Sequence, residues 1–248
     1  MKIIPTNISV DDLYTRKGAS DNEHQIFWQN IFSFNGYPEY GIRLSSSFDD
    51  LVESNDCISD EESEALDNYV AESWEYINKY LAKDDAPYSA SHSERKEALE
   101  RVIDKMPTSE LDFYRAVKTS DRDFFANLTY KLENDIIEPG TILTNKCFLS
   151  FTNNPYSLKT FAGDNINGDV ENGCIIYKLT GGVKSISKIS PTEEFEGIVP
   201  PENLLEVKHV RKLNIDLKSG QTRNIWFIEL EKAPLAPRPH FDFYGNPV

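Results

Sequence analysis

Glu194 and Glu196 stand two residues apart in the run Ser190-Pro191-Thr192-Glu193-Glu194-Phe195-Glu196-Gly197-Ile198-Val199-Pro200-Pro201, entering an apolar stretch that two prolines stop. In a strand, residues i and i+2 share a face, which sets both carboxylates about 7 Å apart on one side. At an effective dielectric of about 20, two such charges repel by roughly 2 kcal/mol. A strand with only a structural task gains nothing from that repulsion. Chemistry does, because one carboxylate can steady a developing sugar cation while the other handles an incoming nucleophile. The ordinary reading of the same pattern is a solvated acidic face.

Two upstream segments carry further candidates. In Leu111-Asp112-Phe113-Tyr114-Arg115-Ala116-Val117, the face Leu111, Phe113, Arg115, Val117 places one cation among apolar neighbours. A guanidinium there needs a fixed anion, either a carboxylate bridge or a phosphate that its planar fork can grip. In Phe148-Leu149-Ser150-Phe151-Thr152, two hydroxyls share a strand face. Threonine suits strands on its own account, and a hydroxyl facing the acidic strand can also hold a glutamate in position.

The totals narrow the partners. A net charge of −15 argues against nucleic acid as the main partner, since phosphate backbones are bound by clustered Lys and Arg. Cys57, Cys147 and Cys174 are widely separated, with no Cys-x-x-Cys, and His24, His92, His209 and His240 are isolated. No metal site is expected from them. The first twenty residues show no secretory leader, and no apolar run approaches the ~20 residues of a membrane span. The expected setting is a cytoplasm, the chain's own or one into which it is delivered by another route.

The elements that must position these residues fall into two regions. Up to Pro107 the pattern is helical. Ser59 with Glu62 forms a capping box, and Ala65, Tyr69, Ser73, Tyr76, Ile77 and Tyr80 continue at helical spacing, predicting one helix from about Asp60 to Ala82. Ser91 with Glu94 repeats the signal for a helix that Pro107 closes. From Leu111 the spacing predicts strands at Asp112 to Val117, Thr141 to Thr152, Cys174 to Leu179, Phe195 to Val199, Leu204 to Leu213 and Ile225 to Leu230. Turns fall at Pro139-Gly140, Gly181-Gly182 and Lys218 to Gln221, with a helix at Tyr156 to Ala162. Helices first and strands afterwards imply an α+β fold in a single domain spanning 1–248. Its parts are a mainly helical 1–108, a β-rich 109–232 and a Pro-rich extended tail at 233–248.

In this order, the aromatic-Arg strand, the Phe-x-Ser-x-Thr strand and the Glu-x-Glu strand resemble the Arg-Ser-Glu class of mono-ADP-ribosyltransferases. Tyr69 and Asn78, in Asp67-Asn68-Tyr69 through Tyr76-Ile77-Asn78-Lys79-Tyr80-Leu81, are similar to that family's helical Tyr…Ile-Asn-x-x-Leu signature. Phe161-Ala162-Gly163 is similar to the Phe-Ala-Gly of clostridial Rho-modifying exoenzymes. The likeness covers roughly residues 58 to 230.

The resemblance implies an ADP-ribosyltransferase-like fold, two facing β-sheets with an NAD cleft between them and flanking N-terminal helices. It implies NAD as substrate and a protein acceptor of a host or partner. No metal is required, because the departing nicotinamide is already cationic in NAD and the protein supplies only positioning and charge stabilisation; a monomer is expected. Arg115 would hold the NAD phosphates and backbone groups of Ala116 the nicotinamide amide. Ser150 would brace Glu196, and Thr152 would support the cleft wall. Glu196 would steady the oxocarbenium-like transition state, and Glu194 would orient or deprotonate the acceptor. Phe161 would pack on the nicotinamide, with Tyr69 and Asn78 on the adenosine side. Glu194, where glutamine is the family's alternative, implies an arginine acceptor. Asp164 stands where the exoenzymes carry a phosphate-binding Arg, leaving Lys159 or Lys83 as substitutes. Two other readings stay open: an NAD glycohydrolase, and a binding module of the same fold without catalysis.

Overall fold

A computed structural model describes residues 58–73, 77–78, 81, 90–120, 122–152, 158, 161–163, 173–186, 196–216, 222–233 and 239–248. The first described helix, α1 (Asp60–Asn68), starts as the sequence predicts. The Ser59 hydroxyl accepts from the Glu62 backbone N–H at 3.3 Å, and Glu62 Oε2 accepts from the Ser59 N–H at 2.9 Å. The continuation differs from a uniform helix to Ala82. At Tyr69–Ser73 the chain widens into a π-helical turn, a distortion that is frequent at functional positions of native helices.

The second helix, α2 (Ala90–Lys105), begins one residue before Ser91 and ends short of Pro107. Lys105 Nζ donates to Glu62 Oε2 at 2.6 Å, and Arg101 Nη2 reaches Glu61 at 3.0 Å, fixing α2 against α1. The Lys105 hydrogen bond holds the Glu62 carboxyl below its ordinary range. A third helix, α3 (Arg122–Glu133), falls where the sequence reading had no element. Its buried Leu128 and Leu132 lie four apart, on the face that meets the sheet.

The strands are β1 (Thr108–Ser109), β2 (Asp112–Lys118), β3 (Ile142–Thr144), β4 (Leu149–Thr152), β5 (Gly173–Thr180), β6 (Val183–Ser185), β7 (Glu196–Val199), β8 (Leu204–Asp216), β9 (Thr222–Lys232) and β10 (Phe241–Asp242). They form one mixed sheet in the order β1-β6-β7-β4-β2-β5-β9-β8-β3-β10. At its middle, the pair that β2 and β4 share among the described residues is Tyr114 and Thr152. The two expected sheets are the halves either side of this seam. Leu149, Phe151 and Val199 of one half join Ile175, Phe227 and Leu230 of the other in one apolar core, so the sheet curls around it.

Two expectations need correction. The strand placed at Thr141 to Thr152 is two strands, β3 and β4, on opposite sides of the sheet. Between them Asn145 turns the chain, its Nδ2 donating to the carbonyls of Cys147 at 2.7 Å and Pro200 at 2.6 Å. The end of the chain is no loose tail beyond Pro239. Residues 241–242 add a parallel edge strand to β3, and Phe243 is buried. The turn expected at Lys218 to Gln221 lies outside the described residues, as do the segments around Leu158 and Phe161, which are themselves helical. Among the described residues no helix is long and apolar enough to cross a membrane.

Candidate functional site

Alternation along β4 sets the site. Leu149 and Phe151 enter the core inside the curled sheet, so Ser150 and Thr152 take the other face. Register puts Thr152 opposite Glu196 and Ser150 opposite Ile198. Ile198 belongs to a second apolar cluster, with Leu66, Tyr69, Ile77, Leu99, Val102, Ile103 and Phe148, which seats the helices on this face. Ser150, Thr152 and Glu196 are thereby turned toward the residues that α1 and its π turn present.

Tyr69 gathers the site. Its ring meets Phe148 edge-on at 5.7 Å, and it is almost wholly buried. Its hydroxyl shares a hydrogen bond with the Ser150 side chain and accepts one from Asn78 Nδ2 at 3.4 Å. It also lies within electrostatic range of Glu196 and Arg115. Burial pushes the phenol up to about 12; the Ser150 bond opposes the rise and the Glu196 charge adds to it. Glu196 is itself buried, at 7% exposure.

Arg115 reaches the same place from across the seam. Its Nη1 donates to the Ser150 carbonyl at 2.9 Å. A guanidinium holding a carbonyl with one N–H keeps further donors in its fork for a second acceptor. Opposite Arg115 on β5 stands Tyr177, whose buried hydroxyl has no hydrogen-bond partner among the described residues. Beyond Tyr114, no strand pairs with β2 on its β4 side among the described residues. Alternate backbone groups of Arg115 to Lys118, Ala116 included, therefore face the seam.

Five of the expected residues thus converge, Arg115, Ser150, Glu196, Tyr69 and Asn78, with Thr152 beside Glu196. Phe161 is described and 46% exposed. Glu194, Asp164, Lys159 and Lys83 lie outside the described residues. Cys147, Tyr177 and Tyr244 were not singled out from sequence as parts of the site, although all three interact electrostatically with Arg115. Only long-range register brings them there, and no local spacing signals it. Among the described residues no group of three or more His, Cys, Asp or Glu is placed to hold a metal ion.

The arrangement sets a buried acid and a half-buried guanidinium around a hydroxyl network. Such a site can hold an anionic group with one and stabilise a developing cation with the other.

No protein-family model and no curated protein matches the sequence. Solved structures do resemble the fold. The ADP-ribosyltransferase Vis of Vibrio splendidus, determined with agmatine, aligns over 86% of this chain and 96% of its own, at a TM-score of 0.63 and 19% identity. Plx2a, an ADP-ribosyltransferase toxin of Paenibacillus larvae, aligns over 79% of this chain and 94% of its own, at 0.53 and 15%. BECa, the ADP-ribosylating toxin of a C. perfringens binary enterotoxin, determined with NADH, aligns over 76% of this chain and 48% of its own, at 0.53 and 17%. At these identities the likeness speaks for the backbone, and it is consistent across the three: this chain has the ADP-ribosyltransferase fold.

Proposed function

We propose that the chain is a mono-ADP-ribosyltransferase that moves ADP-ribose from NAD to an arginine side chain of a protein and releases nicotinamide. The observation that carries this reading is the Tyr69 hydroxyl, bonded to Ser150 and Asn78 and within electrostatic range of both Glu196 and Arg115. Acid and guanidinium from distant parts of the chain share one neighbourhood there. Vis, whose fold the chain shares, has been determined with agmatine, a guanidinium compound, and BECa with NADH.

The residues fit such a substrate. Arg115 holds the pyrophosphate, leaving Nη1 on Ser150. The seam-facing backbone around Ala116 receives the nicotinamide amide, and Phe161 covers the ring. As the bond between ribose C1′ and the nicotinamide nitrogen breaks, its electron pair leaves with nicotinamide and neutralises the ring. The positive charge passes to the ribose, where Glu196, braced from Ser150 and flanked by Thr152, stabilises it. The acceptor guanidinium nitrogen then bonds to C1′ and loses a proton to Glu194. The protein works as a monomer in a cytoplasm, its own or that of a host.

The test is incubation with NAD and agmatine, following nicotinamide and ADP-ribosyl-agmatine together. Both products should appear, and Glu194→Gln should suppress the adduct while sparing much of the nicotinamide release. Nicotinamide without adduct from the wild type would instead assign an NAD glycohydrolase. Neither product, with agmatine or with a lysate of candidate targets, would overturn the reading.

A further inference from the structure

Residues 239–248 are built into the fold beside the site, and their attachments are specific. The Ile142 N–H donates to His240 Nδ1 at 3.0 Å, and the His240 N–H returns to the Ile142 carbonyl at 2.8 Å. Asp242 closes the following turn by accepting from the N–H groups of Tyr244 at 2.9 Å and Asn246 at 2.7 Å. Phe243 packs on Tyr177, with centroids 5.2 Å apart. Tyr244 stacks on Phe124 of α3 at 4.1 Å, and its carbonyl accepts from Asn127 Nδ2 at 2.7 Å. Its ring is therefore fixed before its hydroxyl does anything.

That hydroxyl donates to Cys147 Sγ at 3.8 Å, and the Cys147 thiol donates to the Asn78 carbonyl at 3.1 Å. Burial raises the thiol above its usual range, which keeps the S–H proton available as a donor near neutrality. Asn78 in turn gives Nδ2 to Tyr69, while its Oδ1 is buried without a hydrogen-bond partner among the described residues. A buried amide oxygen left open in this way asks for a donor, and a nucleoside hydroxyl or amine supplies one.

We propose that Cys147 and Tyr244 are positioning residues for Asn78, so that the segment 239–248 belongs to the dinucleotide site. The proposal rests on the NAD reading above. Tyr244 orients the thiol, the thiol fixes the Asn78 backbone, and the Asn78 amide is thereby aimed at the substrate. The chemical step proceeds at Glu196, so the effect falls on binding.

The experiment measures the NAD dissociation constant by titration calorimetry, kcat and KM for nicotinamide release, and the thermal midpoint, for the wild type, Cys147→Ala, Cys147→Ser and Tyr244→Phe. Losing the thiol donor should raise Kd and KM about 5-fold, the scale of one net hydrogen bond, with kcat within about 2-fold. Serine restores a donor and should recover most of the affinity. Tyr244→Phe keeps the stack on Phe124 and should raise Kd in the same direction by less. A lowered thermal midpoint with Kd unchanged in both Cys147→Ala and Tyr244→Phe would overturn the proposal and leave packing as their role. Should Cys147→Ala fail to fold, Tyr244→Phe alone decides. A wild type that binds no NAD would overturn the proposal together with the function it rests on.

Discussion

Arg115 holds the carbonyl of Ser150 through Nη1 at 2.9 Å, across the seam where, among the described residues, β2 and β4 pair at Tyr114 and Thr152. One side chain thus joins the two halves of the sheet and directs a guanidinium into the site. A lysine carries the charge but lacks the planar fork that can serve a carbonyl and a phosphate together. Arg115→Lys should therefore weaken NAD binding by about 10-fold or more, on the scale of a lost charge-assisted hydrogen bond. Titration calorimetry measures it. An unchanged dissociation constant would remove Arg115 from the binding of phosphate.

Glu196 is buried directly opposite Thr152, on the face shared with Ser150. Glutamine keeps the shape and removes the charge. If the carboxylate stabilises the cation that forms as nicotinamide leaves, Glu196→Gln should lower the transferase rate about 100-fold or more, as removal of a single transition-state contact does elsewhere. Circular dichroism and the thermal midpoint should stay close to wild type. Turnover that survives intact would place the chemistry at another residue.

Much of this site was legible because its residues sit at strand positions with local meaning. Arg115 interrupts an apolar face, Ser150 and Thr152 alternate with core residues, and Glu196 precedes a run that prolines end. Their convergence came from the resemblance and not from spacing, since a register such as Thr152 against Glu196 leaves no local trace. The misses have physical causes as well. Thr141 to Thr152 is continuously strand-like in composition, and the corner inside it depends on Asn145 reaching Pro200, 55 residues away. Helix α3 carries aromatics that suit strands equally well. The Pro-rich approach to residue 239 hid an edge strand whose partner, β3, lies about 100 residues earlier in the chain.

Tyr69 makes an alkaline prediction. Its phenol titrates near 12 in the folded chain, against about 10 for an exposed tyrosine. An acid whose folded pKa is raised stabilises the fold fully below its unfolded pKa. That contribution is lost as pH rises from about 10 toward the folded value. The Tyr177 and Tyr244 phenols are also raised, chiefly by burial, and act in the same direction. Stability measured by denaturant should be flat with respect to these groups at neutral pH and fall above pH of about 10, less steeply in Tyr69→Phe than in wild type. An equal slope in the two proteins would contradict the burial of this phenol.

Gly197 stands between Glu196 and Ile198 on β7. A Cβ at this position would meet Phe113 Cε1 at 2.7 Å and collide with Val183 Cγ1. Phe113 and Val183 are both fully buried, so neither can swing aside into solvent. Gly197→Ala should destabilise by about 1–3 kcal/mol, the range for overpacking a filled core. Because β7 must shift to relieve the contact, the neighbouring Glu196 moves with it, and the transferase rate should fall further than stability alone explains. Val183→Ala removes the colliding methyl. In the double variant the two losses should sum to less than their separate values, since the sites touch. Strict additivity in denaturant unfolding would show that the strand accommodates the methyl elsewhere and that glycine is not required there for packing.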